Sequence, residues 1–386
     1  MTYADTEVKY DLLDEFKCEA SRLALQTVGN SARWGFDELT MSRGESAHLL
    51  RAAGPFVGHL IEGLGTKCLV ADAMYRLTGK SYDDVIAHDT VAAIVNDMIT
   101  LGVMPVAVDM FLAAGDLRWF RKEARWRNFL KGWQRACEIV GCSWGMGETQ
   151  VLEGVVMPGR MVFAGSAVGV ALREQWRIRG DIKDKDVIIL LESSGIHANG
   201  LSLARRIIER QESWWEKLAR GFFPWSMANI ELPESYLTLL SGEKTVGEAL
   251  LEPTRIYVSV IRECLMRSLA IHYAVHITGH GWLKLMRHPE SFLYVIEKIP
   301  EPQSIFSFLQ ECGPVDEREM YRTFNMGAGF ALIVSEHTVD MIETIAAEHG
   351  ISSLVAGRVQ KRGKEKKLFI LPKNLEFDGK ELQIRR

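Results

Sequence analysis

The sequence predicts a mixed α/β protein with two domains, on three observations. Its 386 residues exceed what a single hydrophobic core usually organises. Apolar residues recur with helical spacing in some segments and form short uninterrupted runs, typical of buried strands, in others. The charged stretch RIRGDIKDKD, residues 177–186, separates two regions of this mixed character. We therefore predict one domain over residues 1–176 and a second over residues 177–386.

The elements of the first region follow from these spacings. Apolar positions with helical spacing predict amphipathic or buried helices over residues 12–25, 89–101 and 119–140. Apolar runs predict strands over residues 57–64, 104–112 and 161–172, the first of which leads into a glycine-containing turn.

The second region repeats this character. A strand over residues 187–191 precedes the loop ESSGIHANG and a helix from about Leu201. Further strands are predicted near Val275, Leu293 and Phe330, and the run RVQKRGKEKK is interpreted as a solvated turn.

Composition excludes several classes of protein. A net charge of −4 argues against a general nucleic-acid binder. No apolar stretch reaches the roughly 20 residues that a membrane span needs, and the acidic, polar start has no signal-peptide core. The six cysteines form no CxxC pair, so we expect reduced thiols, no structural zinc and a cytoplasmic location.

Isolated acids occupy positions where a core disfavours them. Asp97 lies inside an otherwise apolar helical segment, and Asp89 and Asn96 share one face of that helix. Asp109 interrupts a strand, and Glu148 follows the glycines of WGMGET. Such acids suit Mg²⁺, which prefers carboxylate oxygens, water and substrate phosphates. The alternatives are that Asp89 caps a helix and that Asp109 is a hydrogen-bonded buried acid.

Four glycine-containing loops could approach a ligand closely. EGLGTK, residues 62–67, can surround phosphates with backbone N–H groups, although its spacing is not that of a P-loop. SSGIHANG opens a helix and carries His197 and Asn199. HITGHG and FNMGAG suit either close approach to a ligand or plain tight turns.

Taken in order, these segments resemble the aminoimidazole ribonucleotide synthetase family, also called phosphoribosylformylglycinamidine cyclo-ligase. The resemblance runs from about Gly58 to about Arg358. The matching segments are GLGTK, DTVAAIVNDM, GET, AGSAVGVA, SSGIHANGLSLAR, LLEPTRIYV, HITG and MYRTFNMGAG.

The resemblance implies a two-domain α/β subunit whose first domain pairs with its copy in a homodimer, building a β-barrel at the interface. It also implies a ligase of purine biosynthesis that converts formylglycinamidine ribonucleotide and ATP into aminoimidazole ribonucleotide, ADP and phosphate. In such a reaction the formamide oxygen is phosphorylated, an amidine nitrogen attacks the carbon, and phosphate leaves. The protein positions the reactants and stabilises charge with Mg²⁺ and lysine.

The resemblance also implies the site residues. Catalysis would fall to His197, Lys67 and Asp97, with His197 as the first choice for acid–base or phosphate-stabilising chemistry. The residues implied for ATP are Glu62, Gly63, Gly65, Thr66, Lys67, Asp89, Asn96, Gly147, Glu148 and Thr149. Those implied for the ribonucleotide substrate are His197, Asn199, Gly200, Thr278, Gly279 and Asn325. Those implied for magnesium are Asp89, Asp97, Asp109 and Glu148.

Three departures from the family pattern leave other functions open. Glu62 stands where the family usually has aspartate, His280 interrupts a turn usually written with three glycines, and extra residues over 151–156 precede Met157-Pro158-Gly159. The alternatives are a divergent ATP-dependent relative that acts on another small substrate, and a catalytically degenerate nucleotide-binding relative.

Overall fold

The computed structural model describes residue 2 and residues 10–52, 54–209, 234–240, 242 and 244–382. Its α-helices are α1 (Tyr10–Leu25), α2 (Lys67–Thr78), α3 (Asp83–Ile99), α4 (Glu123–Val140), α5 (Leu201–Glu209), α6 (Val246–Leu250), α7 (Val258–Met266), α8 (Ser304–Cys312), α9 (Glu317–Thr323) and α10 (Val339–Glu348). Its strands are β1 (Asp37–Glu38), β2 (His48–Arg51), β3 (Phe56–Gly63), β4 (Met104–Ala114), β5 (Ser143–Val151), β6 (Met161–Ala171), β7 (Val187–Glu192), β8 (Ile271–His276), β9 (Leu293–Ile296), β10 (Ala328–Val334), β11 (Ser353–Gln360), β12 (Lys367–Ile370) and β13 (Leu375–Asp378).

The strands form two sheets, and the chain completes one before it begins the other. The first sheet has the order β1-β2-β3-β6-β4-β5, and the second has the order β13-β12-β9-β11-β7-β10-β8. Both are mainly antiparallel, with parallel pairs β4–β5 and β12–β9. The mixed α/β class is therefore confirmed.

The two sheets differ in how their faces are covered. Along β3 and β6 buried and exposed residues alternate, which gives the first sheet one core face and one outer face. Strands β8 and β10 are buried at every position, as expected for a sheet covered on both faces.

Helix α3 joins the two halves. It packs against β3, β4 and β6 of the first sheet, and it also contacts α7 and β8 of the second half. Most of its apolar residues are buried, as expected for a helix that packs against other elements on several sides.

Most predicted elements are found, with shifted ends. The helix predicted over residues 89–101 begins at Asp83, so Asp89 lies inside it and is not its cap. The helix predicted from residue 119 begins at Glu123. The RVQKRGKEKK segment starts within β11, and only its later residues form a turn. Among the helices of the described residues, none is long and apolar enough to span a bilayer.

Candidate functional site

A cleft of about 450 Å³ lies where the two halves meet, within the size range of small-molecule sites. The first half contributes Glu62 and Asp97, together with Lys17 of α1. The loops after β7 and β8 supply most of the opposite side. The cleft is therefore built from segments that are far apart in the sequence.

A buried pair, Asp97 and His276, forms the inner end of this cleft. Nδ1 of His276 lies 2.6 Å from Oδ1 of Asp97. Burial opposes ionisation of Asp97, but the hydrogen bond to His276 and the positive charges of Lys284 and Arg287 outweigh it and lower the pKa of Asp97. Asp97 is therefore ionised at neutral pH.

The imidazole of His276 completes the pair. Burial lowers the pKa of His276 in spite of the neighbouring Asp97 carboxylate. A neutral ring that donates from Nδ1 to Asp97 must carry a free electron pair on Nε2. Within the part of the chain that the structure describes, this buried Nε2 has no hydrogen-bond partner. It therefore keeps unused hydrogen-bonding capacity in a residue that lines the cleft.

Two polar loops line the rest of the cleft. Asn199, in the SSGIHANG loop, accepts a hydrogen bond from the backbone N–H of Gly279 at 3.0 Å. Lys284 donates to the hydroxyl of Thr278. Three residues expected to bind substrate, Asn199, Thr278 and Gly279, are thus brought together in the cleft.

Lys67, Asp89 and Asn96 lie elsewhere, in a joint between the two halves. Lys67 and Asp89 form an ion pair in which neither side chain is exposed. Lys67 also donates to the carbonyl of Glu252 at 2.8 Å, and Asp89 accepts from the backbone N–H of Thr254 at 2.8 Å. These contacts attach α3 to the LLEPTRIYV segment.

Asn96 extends this joint by one more attachment. Its amide donates to the carbonyl of Arg255 at 2.8 Å and accepts from the backbone N–H of Tyr257 at 2.9 Å. Asp89 and Asn96 therefore share one helix face, as the spacing predicts. None of the three side chains lines the cleft. Their hydrogen bonds are made instead with backbone groups of the second half.

The four acids expected to bind magnesium do not converge within one chain. Asp97 lines the cleft, and Asp89 is in the joint. Asp109 accepts from the Met146 N–H at 2.7 Å and lies in a separate depression beside Ser166. Glu148 lies on β5, which is exposed along its whole length, as are Gly147 and Thr149. The ranges described hold no cluster of three potential metal ligands, so these four acids do not form one centre within a single chain, and their magnesium role stays a prediction.

The remaining residues expected to bind ATP belong to the EGLGTK turn. Glu62 and Gly63 line the cleft. Gly65 adopts a φ of 79°, and Thr66 lies 3.3 Å from the hydroxyl of Ser202 at the start of α5. The EGLGTK turn therefore packs against the second half.

His197 and Asn325 are buried behind the cleft. Burial, reinforced by the positive charges of Lys67 and Arg255, holds the pKa of His197 well below its ordinary value. Its Nε2 accepts from the Ser194 N–H at 3.2 Å. Asn325 accepts from Ser193 and donates to the Gly195 carbonyl, so it fixes the SSGIHANG loop from within. Gly200, with a φ of 77°, packs closely on Phe324.

Sequence reasoning missed His276, Lys284 and Arg287 as site residues. Arg287 donates to the Gly44 carbonyl at 2.9 and 2.7 Å and so holds an N-terminal loop against the cleft. One signal was present: His276 is the first residue of HITGHG and ends an apolar strand, where polar side chains often line sites. Lys284 and Arg287 carry no such signal, because basic residues in a polar segment are usually solvated.

Comparisons with known proteins agree with this architecture. Residues 52–171 match the family model described as AIR synthase related protein, N-terminal domain, and residues 183–368 match its C-terminal counterpart. A phosphoribosylformylglycinamidine cyclo-ligase of Methanocaldococcus jannaschii is 34% identical over 300 residues, which cover 77% of this chain and 76% of that protein. The enzyme of the same name from Methanothermobacter thermautotrophicus is 32% identical over 379 residues, covering 95% and 97%.

Solved structures share the fold at much lower identity. HypE in its complex with HypF is 14% identical, with a TM-score of 0.57, and the match covers 91% of this chain and 98% of that chain. T. maritima PurL complexed with FGAR is 13% identical, with a TM-score of 0.54, over 92% and 50%. On its sequence matches, this chain belongs to the aminoimidazole ribonucleotide synthetase (phosphoribosylformylglycinamidine cyclo-ligase) family.

Proposed function

We propose that this protein is an ATP-dependent cyclo-ligase of purine biosynthesis. It converts formylglycinamidine ribonucleotide into aminoimidazole ribonucleotide and releases ADP and phosphate. The observation that carries the proposal is the cleft around Asp97 and His276, because its loops belong to segments shared with the family. Curated relatives named phosphoribosylformylglycinamidine cyclo-ligase match at 32–34% identity over most of the chain.

His276 and Asp97 have a clear task in such a reaction. The substrate's amidine nitrogen must be held against the formyl carbon that it attacks. The free Nε2 of His276 can accept a hydrogen bond from an N–H group, and the Asp97 carboxylate fixes the ring in the tautomer that does so. We therefore assign to this pair the orientation of the attacking group. The role predicted for His197 stays a prediction, and its buried Nδ1, like Nε2 of His276, has no hydrogen-bond partner among the described residues.

Carboxylates and cations in the cleft suit ATP and magnesium. Mg²⁺ needs one or two protein carboxylates beside phosphate oxygens and water, and Glu62 and Asp97 both line the cleft. The ion would neutralise phosphate charge there. Lys17, Lys284 and Arg287 bring positive charge to the same cleft. We propose that these cations take the place that the sequence assigns to Lys67.

We further propose a homodimer that pairs through the outer face of the first sheet in a β-barrel. The apolar side chain of Ile61 on this face is 76% exposed, and that of Met146 on the edge strand β5 is 78% exposed. An exposed apolar edge strand favours pairing with another strand. Asp109 and Glu148 lie on these surfaces, so a partner would cover both.

The proposal also includes a domain boundary and a cellular location. We place the domain boundary at residues 176 and 177, since the two sheets and the two family matches fall on either side of it. We place the protein in the cytoplasm, where reduced thiols persist, and all six cysteines are unpaired in the structure.

The direct experiment is to incubate the purified protein with ATP, Mg²⁺ and formylglycinamidine ribonucleotide. We expect aminoimidazole ribonucleotide and ADP in equal amounts. Formation of ADP without that product would indicate a relative with another substrate. Binding of nucleotide without turnover would indicate a degenerate member. Sedimentation of the same sample should give twice the monomer mass.

A further inference from the structure

One residue of the cleft has a conformation that its side chain disfavours. His280 adopts a φ of 69°, in the left-handed region that is common only for glycine. The next residue, Gly281, must be glycine, because a Cβ there would lie 2.4 Å from the carbonyl oxygen of Tyr321. At position 280, by contrast, a side chain is accommodated. The imidazole is thus retained in a turn where glycine would be less strained.

The surroundings of His280 show where its side chain can act. It lines the cleft together with Thr278 and Lys284, and Lys284 donates to Thr278. The Gly279 N–H is bound to Asn199, so the turn is fixed to the SSGIHANG loop. His280 is therefore held on a rigid support at the edge of the cleft.

The charge of this segment identifies the ligand chemistry. Lys284 and Arg287 are the charged side chains of residues 281–287, a segment without an acid. The Lys284 ammonium and the His280 imidazole line the same cleft, together with the acids Glu45, Glu62 and Asp97, and two such nitrogen donors suit a phosphate group, which accepts several hydrogen bonds. The strained backbone of His280 lies at the cleft, and strain beside a binding site indicates a functional constraint.

We infer that His280, together with Lys284, binds a phosphate group of a ligand in the cleft and so adjusts specificity in this branch of the family. The phosphate belongs either to the ribonucleotide substrate or to ATP. The identity of these two ligands rests on the proposed function, but the contact itself does not.

The test compares His280→Gly with a matched control, Ser268→Gly. Ser268 also has a positive φ, of 58°, and lies in an exposed turn before β8, so its replacement relieves strain away from the cleft. We expect both variants to keep the thermal midpoint of the wild type or exceed it. His280→Gly alone should raise the KM of one substrate about tenfold, as expected for the loss of one hydrogen bond to a charged group.

Separate titrations identify the phosphate and separate this inference from the proposed function. Calorimetric binding of ribose 5-phosphate and of AMPPCP is measured for the wild type, for His280→Gly and for His280→Asn, which tolerates the same φ. Weaker binding of ribose 5-phosphate in both variants assigns His280 to the ribonucleotide, and weaker binding of AMPPCP assigns it to ATP. Equal binding of both probes by all three proteins overturns the inference, as does a wild type that binds neither probe. These outcomes hold whether or not the wild type forms aminoimidazole ribonucleotide.

Discussion

Helix α3 carries two polar clusters that differ in one physical respect. In the joint, Asp89 and Asn96 have their oxygen and amide groups bonded to Lys67 and to backbone groups of Thr254, Arg255 and Tyr257. In the cleft, Asp97 holds His276, whose buried Nε2 has no partner among the described residues. Both clusters are buried and charged. Only the second has hydrogen-bonding capacity left for a ligand.

The difference shows how a buried polar residue can be interpreted. Burial of a charged group alone identifies a place where desolvation must be offset. Complete satisfaction by protein groups indicates a structural role, and an unsatisfied atom that faces a cavity indicates a binding role. By this criterion Lys67, Asp89 and Asn96 hold the two halves together, while Asp97 and His276 are the pair for which we propose a role in the reaction.

The largest expected effect comes from breaking the joint. Lys67→Met leaves the Asp89 carboxylate buried without its cation, which costs about 3–5 kcal/mol of unfolding free energy. Urea denaturation followed by fluorescence checks this value. A double variant, Lys67→Met with Asp89→Leu, should recover much of the loss, since an apolar pair leaves no unpaired charge. Unchanged stability in Lys67→Met, with a raised KM for ATP, would restore the phosphate-binding role that the sequence suggests.

A substitution in the cleft cluster, Asp97 and His276, should reduce activity and leave stability nearly unchanged. Asp97→Asn removes the charge that orients His276, and we expect kcat to fall about 100-fold with little change in the denaturation midpoint. Asp340→Asn, an exposed acid in the first turn of α10, is the matched control and should keep full activity. Normal turnover by Asp97→Asn would show that this carboxylate has no part in the reaction.

Asn96→Ala tests the joint without altering charge. The variant leaves the Arg255 carbonyl and the Tyr257 N–H without their bonds, at a cost of about 2 kcal/mol. Because Asn96 does not line the cleft, the KM values for both substrates should stay within twofold of the wild type. A selective rise in the KM for ATP at unchanged stability would contradict the assignment of Asn96 to the joint.

The smallest expected effect is the contribution of His197 to the pH dependence of the unfolding free energy. The pKa of His197 is well below ordinary in the folded protein because burial disfavours its charged form, so the unfolded chain binds the extra proton first. Stability therefore falls as pH drops below the unfolded value of about 6.5, by about 1.4 kcal/mol per pH unit for this residue. Chemical denaturation at pH 7.5 and 5.5 should show a smaller loss for His197→Asn than for the wild type. Equal losses would mean that His197 has the same pKa in the folded and unfolded states, which contradicts the lowered value.

Local structure could be predicted from the sequence, whereas partners could not. The apolar spacing of α3 and the uninterrupted runs of β6 and β7 are local signals, and those elements are found, although α3 begins six residues before its predicted start. The common face of Asp89 and Asn96 also follows from helical geometry. The pairing of Asp97 with His276 depends on how two halves of the chain pack, and no local spacing encodes it. For the same reason Lys67, which follows a glycine-rich turn, was expected at a phosphate and is found in an ion pair.

The most direct test of the central claim is a crystal structure of the protein with AMPPCP, Mg²⁺ and formylglycinamidine ribonucleotide. We predict both ligands in the cleft between the two halves, with an N–H group of the ribonucleotide within hydrogen-bonding distance of Nε2 of His276 and with Lys67 still paired to Asp89. Ligands bound elsewhere, or phosphates held by Lys67 with the joint opened, would contradict the account.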